Sequence, residues 1–220
     1  MKILMTGFVP FGGDAVNASQ AAVEGCRAPE GVELCKIIVP VAFGEAVDVV
    51  CRAIEKEKPD VVICVGEAGG RRAVTPERVG INVMDARIAD NAGNQPVDVK
   101  IAPDGPDAYF STLPVKDMVA AMTAAGFDAA VSNTAGTFVC NDLMYGVLHY
   151  LNTAWHGENE KGMGTADSGR LAFDGQAKRR PIAGFIHVPA DRPALAEDGS
   201  LAPLPSTSAD ALTAALKVFA

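Results

Sequence analysis

The sequence lacks the features that mark several large classes of protein. No apolar run approaches the ~18 residues needed to cross a bilayer, and the apolar start is too short for the core of a signal peptide. The formal net charge is −8 and the one basic cluster, KRR at 178–180, is short, so neither a membrane nor a nucleic acid is an expected partner. The five cysteines are odd in number and show no CxxC spacing, which predicts neither a disulfide framework nor a zinc site. A reduced, cytoplasmic protein is expected.

What is present has the composition of a globular protein. The 220 residues, 49% hydrophobic and 21% charged, fit one domain, 1–220, with an ample core. Apolar runs typical of buried parallel strands, such as 60–65, alternate with helical patterns such as 44–58. This alternation predicts an α/β fold: a three-layer α/β/α sandwich with a mostly parallel, mixed sheet of the phosphorylase/hydrolase-like kind. The polar stretch at about 152–180 has no clear periodicity and is expected to be a surface insertion.

The stretch from 129 to 151 carries the candidate nucleophile. It is predicted to begin as a buried strand, to turn at small residues and to continue as an amphipathic helix with Cys140 in or near its first turn. Unpaired N–H groups and the helix dipole favour a thiolate there, and the thiol pKa can fall to ~7.5 or lower at such a position. An inert buried cysteine is the alternative, because cysteine is among the most buried residue types.

Histidine, the usual base for a cysteine nucleophile, is scarce, since the chain has only three. His149 lies nine residues beyond Cys140 on the same predicted helix, too far to reach the thiol. His156 begins the polar insertion, a poor place for rigid geometry. His187 lies near the end of an apolar strand, where α/β folds bind their ligands. By elimination His187 is the predicted base, and a hydrogen-bonded core histidine is the alternative.

Spacing alone does not choose the acid that would orient the imidazole. Glu77 lies at the start of a structured segment, and Asp85 and Asp90 are rival candidates. The alternative to a catalytic role for Glu77 is a surface contact with Arg78, which would contribute little stability.

Two glycine-containing loops, GFVPFGG and GEAGGRR, follow predicted strands. Neither has the G-x-G-x-x-G spacing or the lysine of a phosphate-binding loop, so neither indicates a nucleotide. Phe8 and Phe11 in the first loop instead indicate an apolar slot for a flat ring. Ordinary core packing of both rings is the alternative.

Four ordered blocks resemble those of the pyroglutamyl peptidase I family, the pyrrolidone-carboxylate peptidases. They are TGFVPFGGDAVNAS, GEAGGRRAVTPERVGINVMDARIADNAGNQP, SNTAGTFVCNDLMYG and GFIHVP, which together span nearly the whole chain. The resemblance implies a cytosolic cysteine exopeptidase that needs no cofactor or metal and forms a homo-oligomer, a tetramer or dimer. It also implies a catalytic triad of Cys140, His187 and Glu77, which selects Glu77 among the candidate acids.

The resemblance further implies a set of substrate-binding residues. These are Phe8, Phe11, Asn17, Glu67, Arg87, Phe138 and Val139. Phe8 and Phe11 would enclose the pyroglutamyl ring, and Asn17 would help to hold that loop or the ring. Arg87 would support the oxyanion region.

The chain departs from the family pattern in three places. The family usually has Gln where this chain has Glu67, a carboxylate that could pair with Arg71 or Arg87 or disturb binding. Its Asn-Pro-Ser is NAS at 17–19 here, without an expected consequence. The insertion at 152–180 is longer than usual, and it could cover the site or alter subunit contacts instead of bulging from the surface.

The predicted function is removal of an N-terminal pyroglutamyl residue from peptides through a thioester on Cys140. Two alternatives stay open. One is a catalytically silent relative that binds blocked peptide N-termini without turnover. The other is a different hydrolase or phosphorylase on the same fold, which would not need Cys140.

Overall fold

The computed structural model describes residues 1–155, 180–190 and 207–220. The strands in these ranges are β1 (Lys2–Phe8), β2 (Glu33–Val39), β3 (Val61–Ala68), β4 (Thr75–Pro76), β5 (Val79–Ile81), β6 (Ala108–Phe110) and β7 (Ile182–Pro189). The helices are α1 (Ala18–Gly25), α2 (Glu45–Glu57), α3 (Val115–Ala124), α4 (Val139–Thr153) and α5 (Thr207–Ala215), which continues as a short 3₁₀ helix, Leu216–Phe219. Most of the predicted insertion at 152–180, with His156, lies outside the described residues.

The main sheet has five strands in the order β2-β1-β3-β7-β4. All neighbours are parallel except β4, which runs antiparallel to β7. The predicted mixed and mostly parallel sheet is therefore confirmed. The continuous apolar runs of β3 and β7 explain their central position, because a parallel strand covered on both faces needs apolar side chains on both.

Helices cover both faces of the sheet and make the predicted three layers. Side chains such as Ile3 and Ile63 pack against α1, α3 and α5 on one face. Their neighbours in sequence, Leu4 and Val62, pack against α2 and α4 on the other face, since successive side chains of a strand point in opposite directions. In the part of the chain that the structure describes, no helix is long and apolar enough to span a membrane.

The prediction of a buried strand at the start of the 129–151 stretch is wrong. Ala129 and Ser132 form only single parallel bridges, with Val74 and Glu77, and the segment is half-buried or exposed. The segment lies beside β4, the short strand at the edge of the sheet. It is therefore not a strand within the part of the sheet that helices cover on both faces. The helix predicted to follow it is present as α4.

Candidate active site

Cys140 is the second residue of α4, so its predicted place in the first helical turn is confirmed. The backbone oxygen of Phe138 accepts hydrogen bonds from the N–H groups of Asn141 and Asp142, at 3.0 and 3.1 Å. The N–H groups of Val139 and Cys140 precede the first intrahelical bonds and have no backbone acceptor among the residues that the structure describes. The start of α4 therefore offers two backbone donors beside the thiol.

The thiol lies over Gly66, near the end of β3. A Cβ atom added to Gly66 would come within 2.9 Å of the Cys140 Sγ and 2.7 Å of the Phe185 ring. Gly66 is the register partner of His187 on β7. Phe185 and His187 share one face of that strand, with ring centroids 4.8 Å apart. The thiol and the imidazole therefore lie on the same face, over neighbouring strands.

The imidazole of His187 is paired with the carboxylate of Glu77. Their Nδ1 and Oε1 atoms are 2.7 Å apart, and both side chains are buried. The backbone N–H of Glu77 also donates to the Phe185 oxygen at 2.8 Å, which fixes the segment after β4 against β7. An Nδ1–H that donates to Glu77 leaves Nε2 as the basic nitrogen of the ring.

The other candidate residues lie elsewhere. The carboxylate of Asp90 accepts backbone N–H groups of nearby loops, and Asp85 is exposed. His149 makes a 3.1 Å contact with the Tyr109 hydroxyl through its Nδ1 and stacks on Tyr145. Of the three candidate acids, the structure brings only Glu77 to His187.

The protein environment favours the neutral forms of the thiol and the imidazole. Burial raises the pKa of Cys140 to about 12, with smaller contributions in the same direction from Glu77 and Glu67 and an opposing one from Arg71. The expectation of a lowered thiol pKa is therefore wrong, because burial outweighs the helix terminus. Burial also lowers the pKa of His187, although Glu77 opposes this.

Glu77 itself remains ionised. Burial alone would raise its pKa, but the hydrogen bonds from His187 and Arg71, the nearby hydroxyl of Ser132 and the charge that His187 carries when protonated bring the pKa below its ordinary value of 4.5. A carboxylate that accepts such bonds is stabilised in its charged form.

A cavity of about 230 Å³ opens beside Cys140. Its lining comprises Phe8, Phe11, Asp14, Val16, Asn17, Val41, Glu67, Gly69, Phe138, Val139 and Cys140. Six of the seven expected substrate-binding residues are among them. The seventh, Arg87, is exposed and does not line the cavity.

Aromatic rings form much of the cavity wall. The ring of Phe11 lies 5.4 Å from that of Phe138, and Phe8 is almost fully buried against Phe185. Asn17 fixes the segment between Phe8 and Phe11, because its Nδ2 donates to the Val9 oxygen at 3.0 Å. Its Oδ1 accepts the backbone N–H of residue 19 and so caps α1.

Glu67 pairs with neither arginine considered from the sequence. Its Oε2 accepts the backbone N–H of Ala18 at the start of α1, at 2.8 Å. Arg71 instead donates to Glu77 and Thr75. The contact between Arg71 and Glu77 was not predicted from the sequence, although the arginine in the second glycine loop, GEAGGRR, was a visible signal. The described residues contain no group of three side chains suited to a metal ion.

A cysteine at a helix start, with a nearby imidazole bound to a buried carboxylate, is typical of a cysteine hydrolase on an α/β fold. A family model described as pyroglutamyl peptidase matches residues 1–161. The chain belongs to this family of cysteine peptidases, and the predicted resemblance is confirmed.

Relatives and solved structures support the same family. The chain is 56% identical to the pyrrolidone-carboxylate peptidase of Streptomyces coelicolor over 154 residues, which are 69% of this chain and 71% of the relative. It is 56% identical to that of Alkaliphilus oremlandii over 153 residues, 68% and 71% of the two chains. Crystallised pyroglutamyl peptidase I of Bacillus amyloliquefaciens is 36% identical with a TM-score of 0.79, over 98% of this chain and 94% of the other. Pyrrolidone carboxyl peptidase of Pyrococcus furiosus is 33% identical with a TM-score of 0.77, over 99% and 97%.

Proposed function

We propose that the protein hydrolyses the bond after an N-terminal pyroglutamyl residue, with Cys140 as nucleophile, His187 as base and acid, and Glu77 as the group that orients the imidazole. The observation that carries the proposal is the position of Cys140. Its Sγ lies over Gly66, the register partner of His187, which is bound to Glu77. The same residue forms part of the wall of a cavity lined by aromatic rings. The relatives are named for the same activity.

Acylation starts from a neutral pair, because burial raises the pKa of Cys140 and lowers that of His187. Nε2 of His187 takes the thiol proton as Sγ attacks the pyroglutamyl carbonyl carbon. The negative charge that develops on the carbonyl oxygen is held by the N–H groups of Val139 and Cys140. Loss of one such donor typically costs about 2.7–4 kcal/mol of transition-state stabilisation.

Collapse of the tetrahedral intermediate breaks the C–N bond. The imidazolium of His187 gives its proton to the leaving amine, and a thioester remains on Cys140. His187 then removes a proton from water as that water attacks the thioester. Pyroglutamate leaves, the thiolate is reprotonated, and Glu77 stabilises the imidazolium in both halves of the reaction.

Specificity follows from the chemistry of the ring. Pyroglutamate has a neutral lactam nitrogen in place of a free α-amine, so it suits an apolar slot bounded by Phe11 and Phe138. Glu67 provides an acceptor for the lactam N–H. A site that relies on such hydrogen bonds rejects analogues without them by roughly 10⁴-fold. Proline, which has the ring without the lactam, is expected to be a poor substrate.

We also infer a cytoplasmic homo-oligomer, a dimer or tetramer. Free cysteines support a reducing compartment, because all five are unpaired. Exposed apolar side chains support self-association, since Val97 and Phe110 are 70% and 69% exposed. Light scattering after size-exclusion chromatography tests the oligomeric state, and a monomer at micromolar concentration would contradict self-association.

The decisive assay is release of a chromophore from a pyroglutamyl arylamide. Wild type should turn over this substrate and discriminate against the prolyl arylamide, and Cys140→Ala should abolish turnover. Cys35→Ala is the matched control, because Cys35 lies on β2, away from the cavity, and its loss should change nothing. Activity that survives in C140A would remove the thiol mechanism and favour another hydrolase. Binding of pyroglutamyl peptides without turnover by wild type would favour the silent relative.

A further inference from the structure

We infer that Arg71 is a positioning residue, whose guanidinium holds the Glu77 carboxylate in the orientation that His187 requires. This inference deepens the proposed function and rests on it. Arg71 lies in the loop after β3 and is about one quarter exposed at its side chain (28%). It does not line the substrate cavity.

The contacts of Arg71 converge on Glu77, the carboxylate partner of His187. Its Nη1 donates to Glu77 Oε1, the oxygen that also contacts His187 Nδ1. The same nitrogen donates to the hydroxyl of Thr75, the register partner of His187 on β4. The guanidinium therefore contacts Glu77, which is bound to the imidazole, and Thr75, which pairs with the backbone of His187.

Few other groups hold the carboxylate. Glu77 Oε2 is buried and has no hydrogen-bond partner among the described residues. The hydroxyl of Ser132 lies near enough to lower the pKa of Glu77, but it donates to the Thr134 oxygen at 3.1 Å. Arg71 and His187 are thus the main donors to Glu77, and only Arg71 remains a charged donor while His187 is neutral.

Arg71 also joins the segments on which the site is built. Its Nη2 donates to the backbone oxygen of Thr134 at 3.0 Å, in the loop that leads to Cys140. One planar guanidinium therefore bridges the loop after β3, the segment of Glu77 and the loop before α4. A lysine ammonium is a point charge and cannot reproduce this fork of donors.

The charge of Arg71 acts on both reacting groups. It lowers the pKa of His187 and opposes the raised pKa of Cys140. The other ionisable groups that face these two residues are Glu77, Glu67 and Cys64. With Arg71 neutralised and Glu77 still ionised, the pKa of His187 should rise, because a nearby cation no longer opposes its protonation.

The test compares Arg71→Gln and Arg71→Lys with Arg72→Gln, a matched control in which the neighbouring exposed arginine is neutralised. R71Q should lower kcat by about tenfold or more, since orientation of the general base is lost, and leave KM within about threefold of wild type. The acidic limb of kcat/KM should move to higher pH. R71K should recover part of kcat, and R72Q should resemble wild type.

Titration of the His187 ring by NMR, without substrate, gives a second measurement, with the resonance assigned by its absence in His187→Ala. A raised His187 pKa in R71Q supports the inference, whereas wild-type kcat in R71Q or R71K would overturn it. A loss of activity with an unchanged His187 pKa would also overturn it, because a merely structural role predicts that result. If R71Q does not fold, R71K decides. If wild type lacks turnover, the proposed function fails while the titration still reports on Arg71.

Discussion

The Nδ1 atom of His187 lies 2.7 Å from Oε1 of Glu77, and the two residues are 4% and 0% exposed. A buried carboxylate in this position fixes the ring so that Nδ1 carries the proton and Nε2 accepts one. It also stabilises the imidazolium that forms during the reaction. The pair therefore sets both the tautomer and the charge of the proposed base.

Glu77→Gln tests this role with almost no change in shape. The amide nitrogen of Gln can donate to Nδ1 and favour the opposite tautomer, so kcat should fall by about 10²- to 10⁴-fold. Asp85→Asn is the matched control, because Asp85 was one of the two rival acids and is exposed. Steady-state assays measure both variants, and circular dichroism confirms that they fold. Near-wild-type kcat in E77Q would remove Glu77 from the mechanism.

The raised pKa of Cys140 predicts how the free enzyme reacts with iodoacetamide. With a pKa of about 12, the thiolate fraction should rise about tenfold per pH unit from pH ~7 to ~10, and so should the alkylation rate. Parallel measurements on C140A subtract the other four cysteines. A rate that reaches a plateau below pH ~8 would indicate a thiolate–imidazolium pair in the resting site, against the neutral pair proposed here.

Gly66→Ala should displace the thiol. The new Cβ would lie 2.7 Å from the Phe185 ring and 2.9 Å from the Cys140 Sγ, closer than carbon and sulfur normally approach. Overpacking of this kind costs about 1–3 kcal/mol of stability, and the shifted thiol should reduce kcat by about tenfold or more. Gly70→Ala is the matched control, since nothing lies within 4 Å of its added Cβ. Equal activity in the two variants would contradict the close approach of Cys140 to β3.

The elements that the sequence predicts well are those with a strong local pattern. β3 and β7 are continuous apolar runs, which predict central strands of a parallel sheet. The apolar residues of α4 recur at helical spacing, which predicts the position of Cys140 near the start of that helix. The strand expected at the start of the 129–151 stretch is absent because its apolar residues lie at an exposed edge, which local pattern does not reveal.

The interactions that the sequence did not predict depend on contacts between distant segments. The choice of Glu77 over Asp85 and Asp90 came from family resemblance and not from spacing, since the bond to His187 spans 110 residues. The thiol pKa depends on how deeply α4 packs over β3. The partner of Glu67 is a backbone N–H, which no side-chain pattern in the sequence marks.

Glu67→Gln separates the shape of this side chain from its charge. Oε2 of Glu67 accepts the Ala18 N–H at 2.8 Å, and the amide oxygen of Gln can accept the same bond. The second lone pair of that oxygen stays available to the lactam N–H, and the amide nitrogen adds a donor, which a carboxylate lacks, for the lactam carbonyl. We expect kcat/KM to be kept or to rise by up to about tenfold, the value of one net hydrogen bond.

Glu67→Ala should lower kcat/KM, because it removes the acceptor that ties the start of α1 to the end of β3. Glu30→Gln, at an exposed position outside the cavity lining, controls for the change in net charge. The measurement is kcat and KM for the pyroglutamyl arylamide, since a ring contact should change mainly KM if it acts equally on bound substrate and transition state. A collapse of activity in E67Q would show that the carboxylate charge is itself required. In that case, the departure from the family pattern at Glu67 would be a functional feature of this chain.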